Sequence, residues 1–239
     1  MDDWQIDMMR TINQTSISEA QVLQCLECAA SLLGFDYVCY GFRPNLPLNN
    51  ARFTWLSNYP SSWKQRHAQE HDLDIDPVVV RACHSQCPVL WDDELFADNP
   101  VLWQEAQRHG LRYGWSQSVL DEPAGISVLS LARTEPAITV EELSTKQCRM
   151  RWLAQTAHQV LSRIMRQRQA ENVPNLTERE IEVLKWTADG KSAQDIADIL
   201  TLSKRTVDFH IKNSVSKLNT PNKTAAVVRA VLLGLFRQP

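Results

Sequence analysis

The sequence predicts an α+β fold in two parts: an N-terminal domain whose antiparallel or mixed sheet carries helices on its faces, and an all-helical C-terminal domain. Three observations predict it. Helical and alternating apolar patterns succeed one another up to about residue 164, and only helical patterns follow 175. Between them residues 165–175 (MRQRQAENVPN) lose apolar periodicity, become polar and contain Pro174. Charge divides at the same place: residues 1–170 hold 15 basic and 20 acidic side chains, net −5, whereas 171–239 hold 10 and 8, net +2. The expected boundaries are therefore a domain over 1–164, a linker over 165–175 and a domain over 176–239.

Taking the elements in order, SEAQVLQCLECAASLL (18–33) sets Val22, Leu26, Ala29 and Leu33 at helical spacing, with Gly34 as the stop signal. FDYVCYGF from Phe35 alternates and is rich in aromatics, which predicts a strand; RFTWLSNYP, GWSQSVL and GISVLSLAR predict three more. Helical stretches around 63–70, 100–110 and 140–168 separate them. No internal repeat is visible.

With 239 residues, 44% hydrophobic and 22% charged, the chain can bury its cores without disulfides or metal, and a disordered or coiled-coil protein is excluded. The N-terminus MDDWQIDMMR lacks the basic flank and apolar run of a signal peptide, and no stretch reaches the roughly 20 apolar residues of a membrane helix. A cytoplasmic protein with no membrane partner is expected, its six Cys reduced. The overall charge of −3 hides a basic end: from Ser203 onward seven basic residues face one acid, Asp208. Seven of the eight Trp lie in the N-terminal part.

The C-terminal part is the most explicit. Thr177 and Glu180 form a capping box with Leu176 and Ile181 as its hydrophobic staple. That helix should bury Ile181, Leu184 and Ala188 and stop at Gly190. Ser192, with Asp195 three residues on, opens a short helix expected to bury Ile196, Ile199 and Leu200; after a turn at Thr201-Leu202, Ser203 caps a third helix. Short helix, tight turn and longer basic helix make a helix-turn-helix. Val207, Ile211, Val215 and Leu218 take one narrow face of the third helix, which must be core. The remaining surface presents Lys204, Arg205, Thr206, Asp208, Phe209, Lys212, Asn213 and Ser216. Arg and Lys reach guanine edges or phosphates, Asn pairs with adenine, and an outward Phe meets a thymine methyl, so this face suits double-stranded DNA. A fourth helix from Asn222 to Gly234 carries Ala225, Val228 and Leu232 on one side and Val227 and Val231 on another. The second apolar side points to a homodimer or to contact with the N-terminal domain.

LTEREIEVLKWTADGKSAQDIADILTLSKRTVDFHIKNSVSKLNTPNK resembles the DNA-binding domain of LuxR-type regulators. Glu180, Leu184, Gly190, Ile196, Ala197, Ser203, Thr206, Val207, His210 and Lys217-Leu218 all sit where that pattern wants them. NYPSSWKQRHAQEHDLDIDPVV (58–79), Trp91, Gly114 and Ser130 are similar to the ligand core of quorum-sensing LuxR-type receptors for N-acyl-homoserine lactones. The resemblance implies an α-β-α sandwich whose five-stranded antiparallel sheet encloses an apolar ligand pocket, followed by a four-helix DNA-binding domain. A lactone ligand needs two donors, one acceptor and an apolar slot. By resemblance Trp63 would donate to the lactone carbonyl, Asp76 accept from the amide N–H, and Tyr59 donate to the amide carbonyl with help from Ser130. Trp91 would pack on the lactone, and Cys39, Phe42, Val79, Leu111, Trp115 and Val128 would form the tail or wall. The family usually has Tyr four residues after Trp63; here His67 stands on that wall, a smaller and more polar ring that should alter chain preference.

Other readings are weaker. Asp76 before Pro77 also reads as a turn residue. His67-x3-His71 with Cys83-x3-Cys87, or Cys25-x2-Cys28, has spacing that zinc could use, but lone pairs of this kind are common and no metal or cofactor is expected. A phosphorylated response regulator would need acidic residues ending apolar strands, and Asp2-Asp3 precede any strand. Tyr59, Trp63, Asp76 and Ser130 suit neutral hydrogen bonding and include no nucleophile with a placed base, so no enzyme and no catalytic residue is expected. The alternative within the family is a regulator that binds DNA without ligand or answers a non-lactone compound.

Overall fold

The computed structural model describes residues 2–14, 17–46, 53–69, 76–121, 125–169 and 175–236, at 66–69 and 166–169 for the backbone alone. The chain divides into two compact units, one running to Arg168 and one from Gln169 onward.

The first unit is an α-β-α sandwich. Its elements are α1 (Asp3–Ile12), α2 (Glu19–Leu32), β1 (Tyr37–Pro44), β2 (Thr54–Ser57), α3 (Ser61–Gln69), α4 (Pro77–His84), β3 (Val89–Leu90), α5 (Pro100–Arg108), β4 (Tyr113–Asp121), β5 (Gly125–Arg133) and α6 (Val140–Gln169). The five strands form one sheet in the order β2-β1-β5-β4-β3, antiparallel at every pairing. Because side chains alternate across a strand, β1 sends Val38, Tyr40 and Phe42 into a core with Leu26 and Leu33 from the α2 side and Leu153 and Leu161 of α6, joined by Trp115, Leu129 and Leu131. The opposite face packs Trp63, Val78, Leu102 and Ala106 from α3, α4 and α5.

Two helices and the short strand β3 escaped the sequence pattern. In α1, Asp2 and Gln5 form a capping box and Met8 and Ile12 turn inward. In α4, Asp76 is the N-cap and Pro77 begins the helix, so three consecutive β-branched residues, Val78 to Val80, are helical against their preference for strands. A helix occupies the first residues of the stretch expected to be linker. α6 continues through Gln169 and buries Met165, because MRQRQ consists of good helix formers.

An ionic clasp closes one end of the sandwich. Arg133, 4% exposed, donates to Gly34 O (3.0 Å) and Pro136 O (2.6 Å) and grips both carboxylate oxygens of Glu142 (2.8 and 2.6 Å). Lys146 donates to Glu142 and to Leu33 O. The Arg133 hydrogen bonds outweigh burial and hold the Glu142 carboxyl down at about 2.

The second unit holds α7 (Glu178–Ala188), α8 (Ala193–Leu200), α9 (Lys204–Lys217) and α10 (Lys223–Leu232). Both expected capping boxes form, at Thr177 with Glu180 and at Ser192 with Asp195, and Ser203 accepts from the Thr206 amide at 3.1 Å. Thr201 enters the left-handed region at φ 56°, and Leu202 N–H bonds Ala197 O at 2.8 Å, closing the α8–α9 turn. Val183, Ile196, Ala197 and Val207 form one cluster; Leu176, Leu184, Leu218, Ala226 and Ala230 form another. Three sequence expectations fail here. Ala188, expected in the core, is exposed at the end of α7. Ile199 is exposed, since α8 turns Ile196 and Ala197 inward. The buried face of α10 is Ala226 and Ala230, not Ala225, Val228 and Leu232: two alanines admit α7 and α9 closely, and Val228 is left 41% exposed. Among the described residues no helix is long and apolar enough to cross a membrane.

Candidate functional site

The sheet face opposite α2 and α6 floors a mainly apolar cavity of about 220 Å³. The register explains which side chains reach it. Cys39 pairs with Ser57 on one side and Ser130 on the other, Ser130 pairs with Ser116, and Gly41 pairs with Trp55 and Val128. Alternation then puts all of these on one face.

Of the residues expected to meet a ligand, Tyr59, Trp63, Asp76, Trp91 and Ser130 line this cavity, as do Cys39, Val79, Leu111 and Val128. Phe42 and Trp115 do not. Phe42 stands three residues from Cys39 and Trp115 one residue from Ser116, so strand parity turns both into the core on the other side of the sheet. The His67 side chain lies outside the described residues, as does His71. Among the described residues no three His, Cys, Asp or Glu side chains gather as metal ligands.

Each polar group is held from outside the cavity. Asp76 accepts from the Val78 amide at 2.8 Å as cap of α4, so the turn role and a place on the cavity wall belong to one carboxylate. Trp91 donates its indole N–H to Ser116 Oγ at 2.9 Å, and Ser116 and Ser130 hydroxyls lie 2.8 Å apart. Trp63 is buried on α3 with its ring 5.6 Å from that of His109. Tyr59 sets its ring edge-on to Tyr37. Burial pushes the Tyr59 phenol well above its ordinary range, with Cys39 and Asp76 adding to the shift. Burial likewise raises the Cys39 thiol to about 12 against an opposing Ser57 hydrogen bond. Both stay protonated near neutrality, so the cavity presents these neutral donors beside the Asp76 carboxyl and Lys64.

Two glycines shape the ends. At Gly114 a Cβ would overlap the indole of Trp91, and at Gly41 it would overlap the indole of Trp55. Trp55, Ser57, Lys64, Phe96 and Leu102 are lining residues that pattern alone missed. For Trp55 and Ser57 the signal lay in the pairing of β2 with β1, which no local pattern carries.

In the second unit, Lys204, Arg205, Asp208, Phe209, Lys212 and Ser216 are exposed along α9, Phe209 at 59%, and Thr206 and Asn213 are half-buried beside them. Among the described residues none of Lys204, Arg205 and Lys212 joins an ion pair. The helix is anchored at its far end: Glu180, 3% exposed, accepts from Lys217 Nζ at 2.8 Å and from the Thr177 amide at 2.7 Å. Burial raises the Glu180 carboxyl, but these bonds outweigh it and leave it lowered.

Comparison with known proteins matches residues 18–161 to the autoinducer binding domain and 174–230 to the bacterial regulatory proteins of the luxR family. The transcriptional activator protein AnoR of Acinetobacter nosocomialis is 34% identical over 239 residues, 99% of this chain and 100% of that one. The quorum-sensing regulator RhlR of Pseudomonas aeruginosa is 35% identical over 230 residues, 96% and 95% of the two chains. Among solved structures, Escherichia coli SdiA superposes with TM-score 0.82 at 32% identity over 98% of both chains, and SdiA in complex with octanoyl-rac-glycerol with 0.81 at 31% over 100% of both.

Proposed function

Because this chain belongs to the LuxR family of quorum-sensing transcriptional regulators, with an autoinducer-binding and a DNA-binding domain, we propose that its ligand is an N-acyl-homoserine lactone and that it acts as a cytoplasmic homodimer on an inverted-repeat operator. The observation that carries the reading is the convergence of Tyr59, Trp63, Asp76, Trp91 and Ser130 on one mainly apolar cavity. Trp63 donates to the lactone carbonyl, Asp76 accepts from the amide N–H, Tyr59 donates to the amide carbonyl, and the lactone packs on Trp91. Such an arrangement pairs both carbonyls and the amide N–H of the ligand.

Ligand binding stabilises the folded protein by mass action. In the second unit α9 enters the major groove, with Arg205, Lys212 and Asn213 reaching base edges or phosphates and Phe209 a thymine methyl. Val228 and Val231, exposed on α10, supply the surface that meets a second copy, which spaces two recognition helices about one helical turn apart. We assign no catalytic step to the chain. A second reading, an acyl ligand without a lactone, draws support from the octanoyl-rac-glycerol held by SdiA.

Mass spectrometry of small molecules released from the purified full chain, with a thermal-shift screen of homoserine lactones and monoacylglycerols, tests the proposal. Retained lactone, or a raised melting temperature with lactones, is expected. Stabilisation by acylglycerols alone sinks the lactone and leaves the second reading; no response to either removes both.

A further inference from the structure

We propose that Trp55 sets the length of acyl chain that the cavity accepts, closing its tail end against chains longer than short and medium ones. This rests on the lactone reading above.

The register gives the cavity floor a measurable diagonal. Gly41 on β1 lies opposite Val128 on β5, which lies opposite Ser118 on β4, and Gly114 stands four residues before Ser118. Two strand spacings of about 4.8 Å and four residues at about 3.3 Å put the two glycines roughly 16 Å apart. Each glycine is roofed by an indole, Gly114 by Trp91 and Gly41 by Trp55, and both Trp line the cavity. If the lactone packs at Trp91, the tail must run past Ser130 and Val128 toward Trp55. Contact distances of about 3.5 Å at each wall leave roughly 9 Å. An extended chain uses about 1.25 Å along its axis per bond of about 1.5 Å; the lactone ring and amide take about 5 Å of the span, and about four acyl carbons fill the rest. The volume of about 220 Å³ agrees, lying below the usual range of ligand pockets, about 300–1,000 Å³.

Shape alone holds the Trp55 ring. It lies on Gly41, stacks on Phe53 at 5.0 Å between centroids, and Phe53 is covered by the Arg43 guanidinium at 5.4 Å. Its indole N–H is buried and, among the described residues, has no hydrogen-bond partner. Removing the ring therefore opens the tail end without breaking a polar contact. Adding a Cβ at Gly41 does the reverse: it lifts the ring off the sheet into the space a tail would fill.

Binding of straight-chain lactones from butanoyl to tetradecanoyl is measured calorimetrically with the full chain, with Trp55→Leu and with Gly41→Ala. The wild type is expected to bind butanoyl and hexanoyl lactones at least about tenfold more tightly than dodecanoyl. Trp55→Leu should move the optimum to longer chains and Gly41→Ala to shorter ones. Trp55→Phe, which keeps a flat ring on Gly41, should shift the optimum in the same sense as Trp55→Leu but less, and stands in if the Leu variant does not fold. A length profile that none of the folded variants moves, or a wild type indifferent to length, overturns the role of Trp55 while leaving a lactone receptor. Absence of binding by every lactone overturns the underlying reading, and this inference with it.

Discussion

Asp76 carries two separable jobs, and one pair of substitutions pulls them apart. Its carboxylate caps α4 through the Val78 amide at 2.8 Å and also lines the cavity, where it is proposed to accept the ligand amide N–H. Asn caps as well as Asp, so Asp76→Asn should cost little stability in the absence of ligand, whereas Asp76→Ala loses the cap at about 1 kcal/mol. For a chain of this size that cost lowers the melting temperature by roughly 2–4 °C. Binding divides differently. A hydrogen bond to a charged acceptor contributes about 1.5–3 kcal/mol, so both variants should bind lactone about 10- to 100-fold more weakly. Calorimetric titration and melting curves of the two proteins side by side supply the four numbers needed. An Asp76→Asn protein that binds like the wild type would remove the carboxylate from ligand recognition, and equal unliganded stability of the two variants would remove the cap from the account.

The remaining predictions address the other features. Glu142 is held at about 2 against an ordinary 4.5, so its clasp with Arg133 stabilises fully above pH 4.5 and is lost as pH falls from there through about 2; Glu142→Gln should flatten that part of an acid-unfolding curve, and a curve of unchanged shape would refute the assignment. Lys212→Ala and Phe209→Ala should each weaken operator binding with no change in melting temperature. The Lys variant should also reduce the salt slope by about one, and unchanged affinity in both would refute the recognition face. Val231→Glu on α10 should shift the protein toward monomer in sedimentation and weaken binding to a two-half-site operator more than to a single half-site; a dimer that survives it does not use this surface.

How much was legible follows from how local each signal is. Thr177 with Glu180, Ser192 with Asp195, and Ser203 each fix a helix start within four residues, so the helix-turn-helix could be drawn from sequence. The burial phase of α10 could not, because Ala226 and Ala230 are buried for their smallness while larger Val residues face out. In the first unit alternation located four strands, yet Cys39 and Phe42 were assigned to one wall although three residues apart on a strand, an error that parity alone could have caught. α4 was hidden because Val78 to Val80 favour extended structure and only the Asp76 cap and Pro77 say otherwise. Trp55 needed the pairing of β2 with β1, a long-range fact. The family resemblance brought the polar ligand residues together where spacing could not.

The hydrogen bonds behind Trp91 form a row. An indole N–H can only donate, so Ser116 accepts from it, and the Ser116 and Ser130 hydroxyls, 2.8 Å apart, share the next hydrogen bond. Ser130 in turn acts on Tyr59, opposing the rise that burial imposes on its phenol. Each link polarises the next, so the indole of Trp91 is coupled through two serines to the phenol of Tyr59. What emerges into the cavity at its end is an O–H hydrogen. A carbonyl arriving there can take that hydrogen without displacing any bond of the row, and the oxygen behind it is already engaged by Ser130.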